Sequence, residues 1–402
     1  MSVHTQSTAW RAVPAARGTC PFDPPPGYEQ ARRQDPVARV RFWDGSSAWM
    51  VTRYEDVRAV LGDRRFSADA TRPNFPFATP GRRELSNVGQ SFIRMDDPEH
   101  SRLRRMLTGD FMLKKMTALR PQVQQIADDL LDKMTTGRTE ADLVAGFALP
   151  LPSLVICLLL GVPYEDHEFF QQCSRTMLSN NTPPAEIRAA RQKLLDYMIK
   201  LSVEKRQCPD LDESILSRLA DREDLDAEEM ARMGLLLLVA GHETTANMTA
   251  LSVLALLRNP DQLAGLRADP ARIPGAVEEL LRYLTIVHTG VGRVATEDVI
   301  VGGHLIPADD GVICMINAAN RDEDAFPQGG GLDVGRDARR HVAFGFGVHQ
   351  CLGQPLARLE LQVALDTILR RLPDLRLAVE FDNVRFRHDM LVYGVHELPV
   401  AW

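Results

Sequence analysis

A ten-residue stretch, Phe344–Gly353, presents one cysteine from a glycine-rich loop: Phe-Gly-Phe-Gly-Val-His-Gln-Cys-Leu-Gly. Gly345, Gly347 and Gly353 lack the Cβ that hinders a positive φ or the close approach of a flat ligand. Cys351 lies just before a helical pattern, where the helix dipole and free N–H groups stabilise a thiolate. Most free cysteines are small buried hydrophobes. One soft anionic ligand on a tight loop nevertheless suits the proximal side of a haem iron.

A second group of reactive side chains interrupts the longest helical pattern, which predicts a helix over Ala227–Arg258. The segment Ala240–Thr245 places an acid and two hydroxyls in otherwise apolar text. A polar surface turn would explain His242. For Glu243 and Thr244 a role in proton transfer is the favoured interpretation, because carboxylates and hydroxyls are suitable proton-relay groups when correctly placed.

Several cationic residues recur at helical spacing or beside a predicted helix. Glu279 and Arg282 are three residues apart, and His100 and Arg104 are four apart, so each pair shares one helical face. Arg293 follows the first of these helices by a short loop. Ordinary solvated surface charges are the alternative for all of them. Taken singly, these residues therefore carry little functional information.

The chain from Tyr54 to Trp402 resembles the cytochrome P-450 monooxygenases, most of all the soluble actinomycete members. Their haem-binding signature, Phe-Gly-x-Gly-x-His-x-Cys-x-Gly, is matched at every fixed position by Phe344–Gly353, and Ala240–Thr245 matches their distal-helix motif. The resemblance implies haem b with the Cys351 thiolate as its axial ligand. It also implies that the haem is contacted by Phe344, Gly345, Gly353 and Ala240.

The resemblance further implies roles for the other charged and hydroxylic residues. Thr244 is expected to hydrogen-bond O2 at the haem, and Glu243 to relay protons from solvent. Glu279 and Arg282 are expected to brace the loop that carries the cysteine. The positions that match the family's contacts to the haem propionates are His100, Arg104, Arg293 and His349.

The same resemblance predicts a mainly α fold with a small β part, in which the haem lies between a long distal helix and a proximal cysteine loop. The chain has no flavin or nicotinamide fingerprint, so electrons are expected from a ferredoxin and its reductase. A local excess of positive charge could steer an acidic donor. It comprises Arg102, Arg105, Lys114, Lys115 and Arg358. A monomer is expected.

By family position, the predicted substrate contacts are mostly aliphatic: Ile93, Arg94, Val239, Val291 and Leu391. That lining suits a bulky hydrophobic molecule, such as a macrolide, a sterol-like compound, a terpenoid or a xenobiotic. Arg94 is the exception, and it could anchor a carboxylate. The alternative is that Arg94 points to solvent or to a propionate.

The bulk composition agrees with a large enzyme. The 402 residues are 45% hydrophobic, and the net charge of −7 argues against nucleic-acid binding. The absence of a signal peptide or a long apolar run predicts a cytoplasmic protein without membrane contact. The six cysteines have no spacing typical of zinc sites or disulfide frameworks.

Along the chain, we predict a loose tail over residues 1–20 and a single catalytic domain over 21–402. Pro36–Thr52 predicts a hairpin around Asp44-Gly45, and Phe66–Phe92 a long loop. Helices are expected to dominate, and the last extended run is Leu391–Val400. Three glycines, Gly329–Gly331, depart from the family pattern and are expected to loosen their surface loop.

Hydroxylation is the leading prediction for the reaction. The alternatives within the family are epoxidation, coupling or peroxide-driven oxidation. A catalytically silent haem-binding accessory protein is the alternative outside enzymes. Retention of both Thr244 and Cys351 favours an enzyme, because an accessory protein could lose either residue without penalty.

Overall fold

The structure, a computed structural model, describes residues 11–87, 91–208 and 213–402. These residues form two units. Unit 1 comprises the described residues up to Asp96 together with Leu281–Leu332 and Ala338–Cys351, and unit 2 comprises Asp97–Leu280, Asp333–Asp337 and Leu352–Trp402. The single catalytic domain over residues 21–402 stays a prediction, because two compact units can belong to one domain.

Unit 1 is built on a mixed sheet that starts with the predicted hairpin. Strands β1 (Val37–Arg41) and β2 (Ser47–Val51) pair antiparallel, and Gly45 takes the left-handed φ of 80° that the turn requires. The other strands of the sheet are β3 (Phe66–Ser67), β5 (Val291–Ala295) and β8 (Gly311–Cys314). The strand order is β1-β2-β8-β5-β3.

Unit 1 also contains helices and a small hairpin. They are α1 (Pro26–Gln34), α2 (Tyr54–Gly62), α3 (Pro80–Asn87), α13 (Ile316–Ala319), β6 (Val299–Val301) and β7 (His304–Ile306). Helix α3 and strand β3 correct the prediction of an unbroken loop over Phe66–Phe92, of which residues 88–90 lie outside the described residues. Pro80 begins α3, and proline is compatible with the first turn of a helix although it suggests a loop.

The predicted loose tail is also partly wrong. Residues 1–10 lie outside the described residues. Val13, however, is buried, and its N–H donates to the carbonyl oxygen of Arg41 at 2.9 Å. Apolar burial and pairing with the end of β1 therefore hold this part of the chain in place.

Unit 2 is mainly helical. Its helices are α4 (Glu99–Thr108), α5 (Leu113–Thr135), α6 (Pro150–Leu160), α7 (His167–Leu178), α8 (Pro184–Gln207), α9 (Ile215–Ala220), α10 (Ala227–Leu257), α11 (Pro260–Ala268), α12 (Ile273–Leu284, whose last turn belongs to unit 1) and α14 (Gln354–Arg371). The 31-residue α10 begins with a capping box, in which the Asp226 carboxylate accepts from the N–H of Glu229. The prediction of a mainly α protein is confirmed.

A small sheet completes unit 2, with β10 (Pro399–Ala401) between β4 (Glu140–Asp142) and β9 (Arg376–Leu377). The predicted extended run Leu391–Val400 is therefore strand only at its end. Upstream, the chain turns back, and the N–H of Arg387 donates to the carbonyl oxygen of Gly394 at 2.8 Å. Gly394 lies so close to α10 that an added Cβ would be 1.7 Å from Asn247 Oδ1.

Candidate functional site

The Cys351 loop of unit 1 has the tight geometry that its glycines predict. Gly345 and Gly347 take φ values of 73° and 74°, in the left-handed region that favours glycine. The N–H of Cys351 donates to the carbonyl oxygen of Phe344 at 2.8 Å and closes the loop. Gly353 has an ordinary φ of −78°, so its backbone angle does not require glycine.

Cys351 differs from the buried cysteines in its surroundings. Cys351 is exposed. Helix α14 begins three positions later, so a thiolate would lie near the positive end of a helix dipole. Cys157 and Cys314 are buried, and burial raises the pKa of each thiol to about 12. Cys351 is therefore better placed than these two residues to present a thiolate to a metal.

Strand β5 of unit 1 carries a buried cation. Arg293 is 4% exposed, and its Nη1 donates to the carbonyl oxygen of Gly292 at 2.8 Å. Burial lowers the pKa of its guanidinium, and the charge of Asp96 opposes that shift less strongly. Val291 in the same strand is half-buried. His349 ends a short 3₁₀ helix and is also half-buried.

The middle of α10 in unit 2 contains an exposed residue, Ala240, and a closely packed one, Gly241. Ala240 is exposed and Thr244, one turn later, is half-buried; the Thr244 hydroxyl donates to the carbonyl oxygen of Ala240 at 2.7 Å. Gly241 packs against α6, because an added Cβ would lie 2.8 Å from Ile156. The segment therefore leaves a hydroxyl oxygen accessible beside a backbone held close to its neighbour.

Glu243 is buried and is held by a residue that the sequence analysis missed. Its Oε2 lies 3.1 Å from Nη1 of Arg387, which is itself buried. The side-chain amide of Asn247 donates to the Glu243 carbonyl oxygen at 2.7 Å. A buried carboxylate requires a cation or hydrogen bonds, so a partner for Glu243 was to be expected. Nothing in the local sequence showed that it would come from residue 387.

His242 is also buried, which corrects its interpretation as part of a polar surface turn. Its Nδ1 lies 2.6 Å from the carbonyl oxygen of Leu238, and its ring meets the edge of Phe170 at a centroid distance of 5.5 Å. Burial lowers the pKa of His242, although the charge of Glu243 opposes the shift. The ring is therefore kept neutral at ordinary pH.

A second buried acid, Glu360 on α14, was also missed. It is 1% exposed. Burial raises its pKa to about 8, while the nearby Thr245 hydroxyl lowers the pKa by a smaller amount. Its only signal in the sequence was an acid within an apolar helical pattern. Glu360 is therefore a protonated carboxylic acid at neutral pH.

The two residues expected to brace the cysteine loop bind backbone groups that precede that loop. Arg282 donates from Nη1 to the carbonyl oxygens of Asn320 at 2.6 Å and Gly329 at 2.8 Å. In unit 2, a Glu279 oxygen accepts from the N–H of Asp333 at 2.9 Å. Both residues therefore hold the chain by hydrogen bonds to its backbone.

The triple-glycine loop is held more firmly than its composition suggests. Arg282 also donates to the carbonyl oxygen of Gly331 at 3.0 Å, and Arg321 donates to that of Gly330. A Cβ on Gly329 would lie 2.7 Å from the carbonyl oxygen of Phe326. The expected loosening is therefore wrong, because buried guanidinium groups bind the carbonyl oxygens of all three glycines.

The remaining predicted site residues of unit 2 lie in α4, in α10 and in the segment that precedes β10. His100 in α4 is 1% exposed, and its Nδ1 lies 3.4 Å from Asp97 Oδ1. Arg104, one turn later, is half-buried, and Val239 in α10 is buried. The N–H of Leu391 donates to the carbonyl oxygen of Leu178 at 2.8 Å.

The predicted cationic surface is partly neutralised. Arg102 pairs with Glu99 and Glu229, Lys115 with Asp110, and Arg358 with Glu278. Lys114 and Arg105 are exposed. Positive charge on this part of unit 2 therefore depends more on Lys114 and Arg105 than the sequence suggested.

Comparison with known proteins gives a consistent result over nearly the whole chain. The family model described as Cytochrome P450 matches residues 29–373. Cytochrome P450-SU2 of Streptomyces griseolus is 66% identical over 97% of this chain and 96% of its own length. Pentalenic acid synthase of Streptomyces avermitilis is 48% identical over 99% of both chains.

A solved structure agrees with these matches. The mycinamicin VIII C21 methyl hydroxylase MycCI of Micromonospora griseorubida, bound to mycinamicin VIII, has a TM-score of 0.91 at 40% identity, covering 97% of this chain and 100% of that one. Within the described residues, no helix combines the length and the apolar character needed to cross a membrane.

Proposed function

Because this chain belongs to the cytochrome P-450 family of monooxygenases, we propose that it oxidises a bulky hydrophobic small molecule. It inserts one oxygen atom from O2, usually as a hydroxylation, and takes electrons from an iron–sulfur ferredoxin and its reductase. Family membership implies a haem with a cysteine thiolate ligand and O2 as co-substrate. The names of pentalenic acid synthase and of the mycinamicin VIII hydroxylase support a natural-product substrate.

The exposed Cys351, on its glycine loop at the start of α14, carries the proposal. Cys351 would hold the iron of a haem as its one protein ligand, because the porphyrin would supply the other, non-protein ligands. A Cβ on Gly345 would contact nothing within 4 Å, so the loop backbone is open to a flat group. Buried Arg293 suits a propionate, because its own hydrogen bond goes to a backbone carbonyl. When bound, the haem supplies the redox chemistry that activates O2.

Residues of α10 are proposed to control proton delivery. The proton of the Thr244 hydroxyl is donated to the Ala240 carbonyl oxygen, so the Thr244 oxygen presents its lone pairs and first acts as an acceptor. Glu243 is held through Oε2 by Arg387. For Glu243 to carry a proton, this ion pair has to loosen. Arg387 is therefore proposed to position the Glu243 carboxylate and to restrain its exchange with solvent.

The proposal is tested with the haem-loaded protein, a ferredoxin, its reductase and a panel of terpenoids and macrolides under isotopically labelled O2. We expect a product that carries one labelled oxygen atom. Cys351→Ser should abolish turnover and the thiolate signature of the reduced carbon monoxide complex. Cys208→Ser, which changes another exposed cysteine, should preserve both. Oxidation by peroxide alone, or no turnover of any compound, would contradict the proposal.

A further inference from the structure

Three arginines of unit 1 lie close enough for their charges to interact; Arg293 is buried, and Arg82 and Arg94 are half-buried. Arg82 lies in α3, Arg94 in the short 3₁₀ helix Phe92–Arg94, and Arg293 in β5. Burial, together with the like charges of Arg82 and Arg293, lowers the pKa of Arg94 to about 9. Burial likewise lowers the pKa of Arg82 to about 10. We call these three residues the arginine cluster.

Within the described part of the chain, the side chains of Arg82 and Arg94 make no hydrogen bond or ion pair. The carboxylate of Asp96, whose charge acts on Arg293, accepts hydrogen bonds from the Ser67 hydroxyl and from the N–H of Ala68. Arg82 and Arg94 therefore have no anionic partner among the described residues, although partly desolvated charges are normally paired.

The adjacent Arg83, in the same helix, differs from Arg82 and Arg94 because it has an ionic partner. It forms an ion pair with Asp44, and its guanidinium lies 5.0 Å from the centroid of the Trp43 ring. Arg83 therefore has both an anion and an aromatic face. Arg94 has only the aromatic face, since its guanidinium lies 5.1 Å from the centroid of the Phe75 ring.

The surroundings of Arg94 combine a cation with an apolar surface. Phe75 is buried, and Gly292 packs against it so closely that an added Cβ would lie 3.0 Å from the ring. An arginine stacked on an aromatic ring keeps the edge of its guanidinium available for two parallel hydrogen bonds to a carboxylate. The arrangement suits a molecule with an apolar body and one carboxylate.

We propose that Arg94, supported by Arg82, binds the carboxylate of a hydrophobic acid that is the substrate. This inference rests on the proposed function and narrows its substrate class from bulky hydrophobic molecules to their carboxylic acids. Arg293, already assigned to a haem propionate, is left to that role. A propionate is also an organic carboxylate, so the experiment has to separate the two sources.

The probes are fatty acids of increasing chain length and abietic acid, each compared with its methyl ester. Binding to the haem-loaded protein is followed by the Soret shift and independently by calorimetry. We expect at least one acid to bind roughly 10-fold or more tightly than its ester, as for a partly desolvated charge pair. Arg94→Gln should remove this preference, Arg94→Lys should retain part of it, and Arg82→Gln should weaken it.

Arg83→Gln is the matched control and should keep the preference for the acid. Equal binding of acids and esters to the unmodified protein, or binding of neither, would overturn the inference. Loss of haem from Arg94→Gln with an unchanged preference for the acid would assign Arg94 to a propionate and would also overturn it. A protein without the thiolate spectrum would instead contradict the proposed function, so the two failures are distinguishable.

Discussion

Two buried carboxyl groups in unit 2 resolve the cost of burial in different ways. Glu243 stays close to a cation, 3.1 Å from Arg387. Burial instead raises the pKa of Glu360 to about 8. The first group is therefore a restrained carboxylate and the second a neutral acid, although both are glutamates on long apolar helices.

The raised pKa of Glu360 predicts a pH dependence of stability. The folded chain keeps this proton up to about pH 8, whereas the ordinary pKa of the group is 4.5. The folded state binds more protons between these values, so its free energy of unfolding falls as the pH rises through this window. Glu360→Gln should remove this contribution, and its stability relative to the unmodified protein should improve from about pH 6 to about pH 8.

Urea unfolding at the two pH values measures this effect. Glu380→Gln, at an exposed position, is the control and should leave the pH slope of the unmodified protein in place. An identical slope for Glu360→Gln would show that Glu360 does not hold a proton in the folded state.

The cysteine loop shows how an element places a single atom. Both Gly345 and Gly347 need a left-handed φ, but their surroundings differ. A Cβ on Gly345 would meet nothing within 4 Å, whereas a Cβ on Gly347 would lie 2.4 Å from the Leu61 carbonyl oxygen. The loop is therefore packed against the end of α2 at Gly347 and open at Gly345.

This difference predicts unequal effects of two identical substitutions. Gly345→Ala should lower the free energy of unfolding by about 1–2 kcal/mol, the cost of a left-handed residue with a Cβ. Gly347→Ala should cost more, because the backbone of α2 or of the loop must also move. Thermal or urea unfolding of the two variants, together with their haem content, provides the measurement. Equal losses of stability would contradict the close packing at Gly347.

At the scale of the whole molecule, the net charge is −7, so an acidic electron donor meets overall repulsion. Local attraction must then come from cations that are not already neutralised. Arg102, Lys115 and Arg358 pair with carboxylates. Exposed Lys114 is a stronger candidate for a contact with the proposed ferredoxin.

We therefore expect Lys114→Glu to slow reduction by a bacterial ferredoxin several-fold at low ionic strength. The effect should diminish as salt screens the charges. Lys200→Glu makes the same change in net charge at another exposed lysine, one that pairs with Glu204, and should have little effect. Stopped-flow reduction of the haem measures both rates. Equal slowing by both substitutions would show that only net charge matters.

The sequence alone determined the family, the mainly α fold and most helix positions. It also located the cysteine loop, because glycine spacing and helical periodicity are local properties that a chain expresses without its partners. The predicted helix Ala227–Arg258 agrees with α10 (Ala227–Leu257) to within one residue. Motifs such as Ala240–Thr245 can likewise be recognised from the sequence, since their residues are neighbours in the chain.

Only the tertiary structure decided which distant residues meet. Arg387 comes to Glu243 from 144 positions away, and buried arginines hold a loop whose three glycines suggested looseness. The arginine cluster likewise joins α3, a short 3₁₀ helix and β5. Burial and long-range pairing set these charges and pKa values, and both depend on packing between segments that local sequence patterns do not specify.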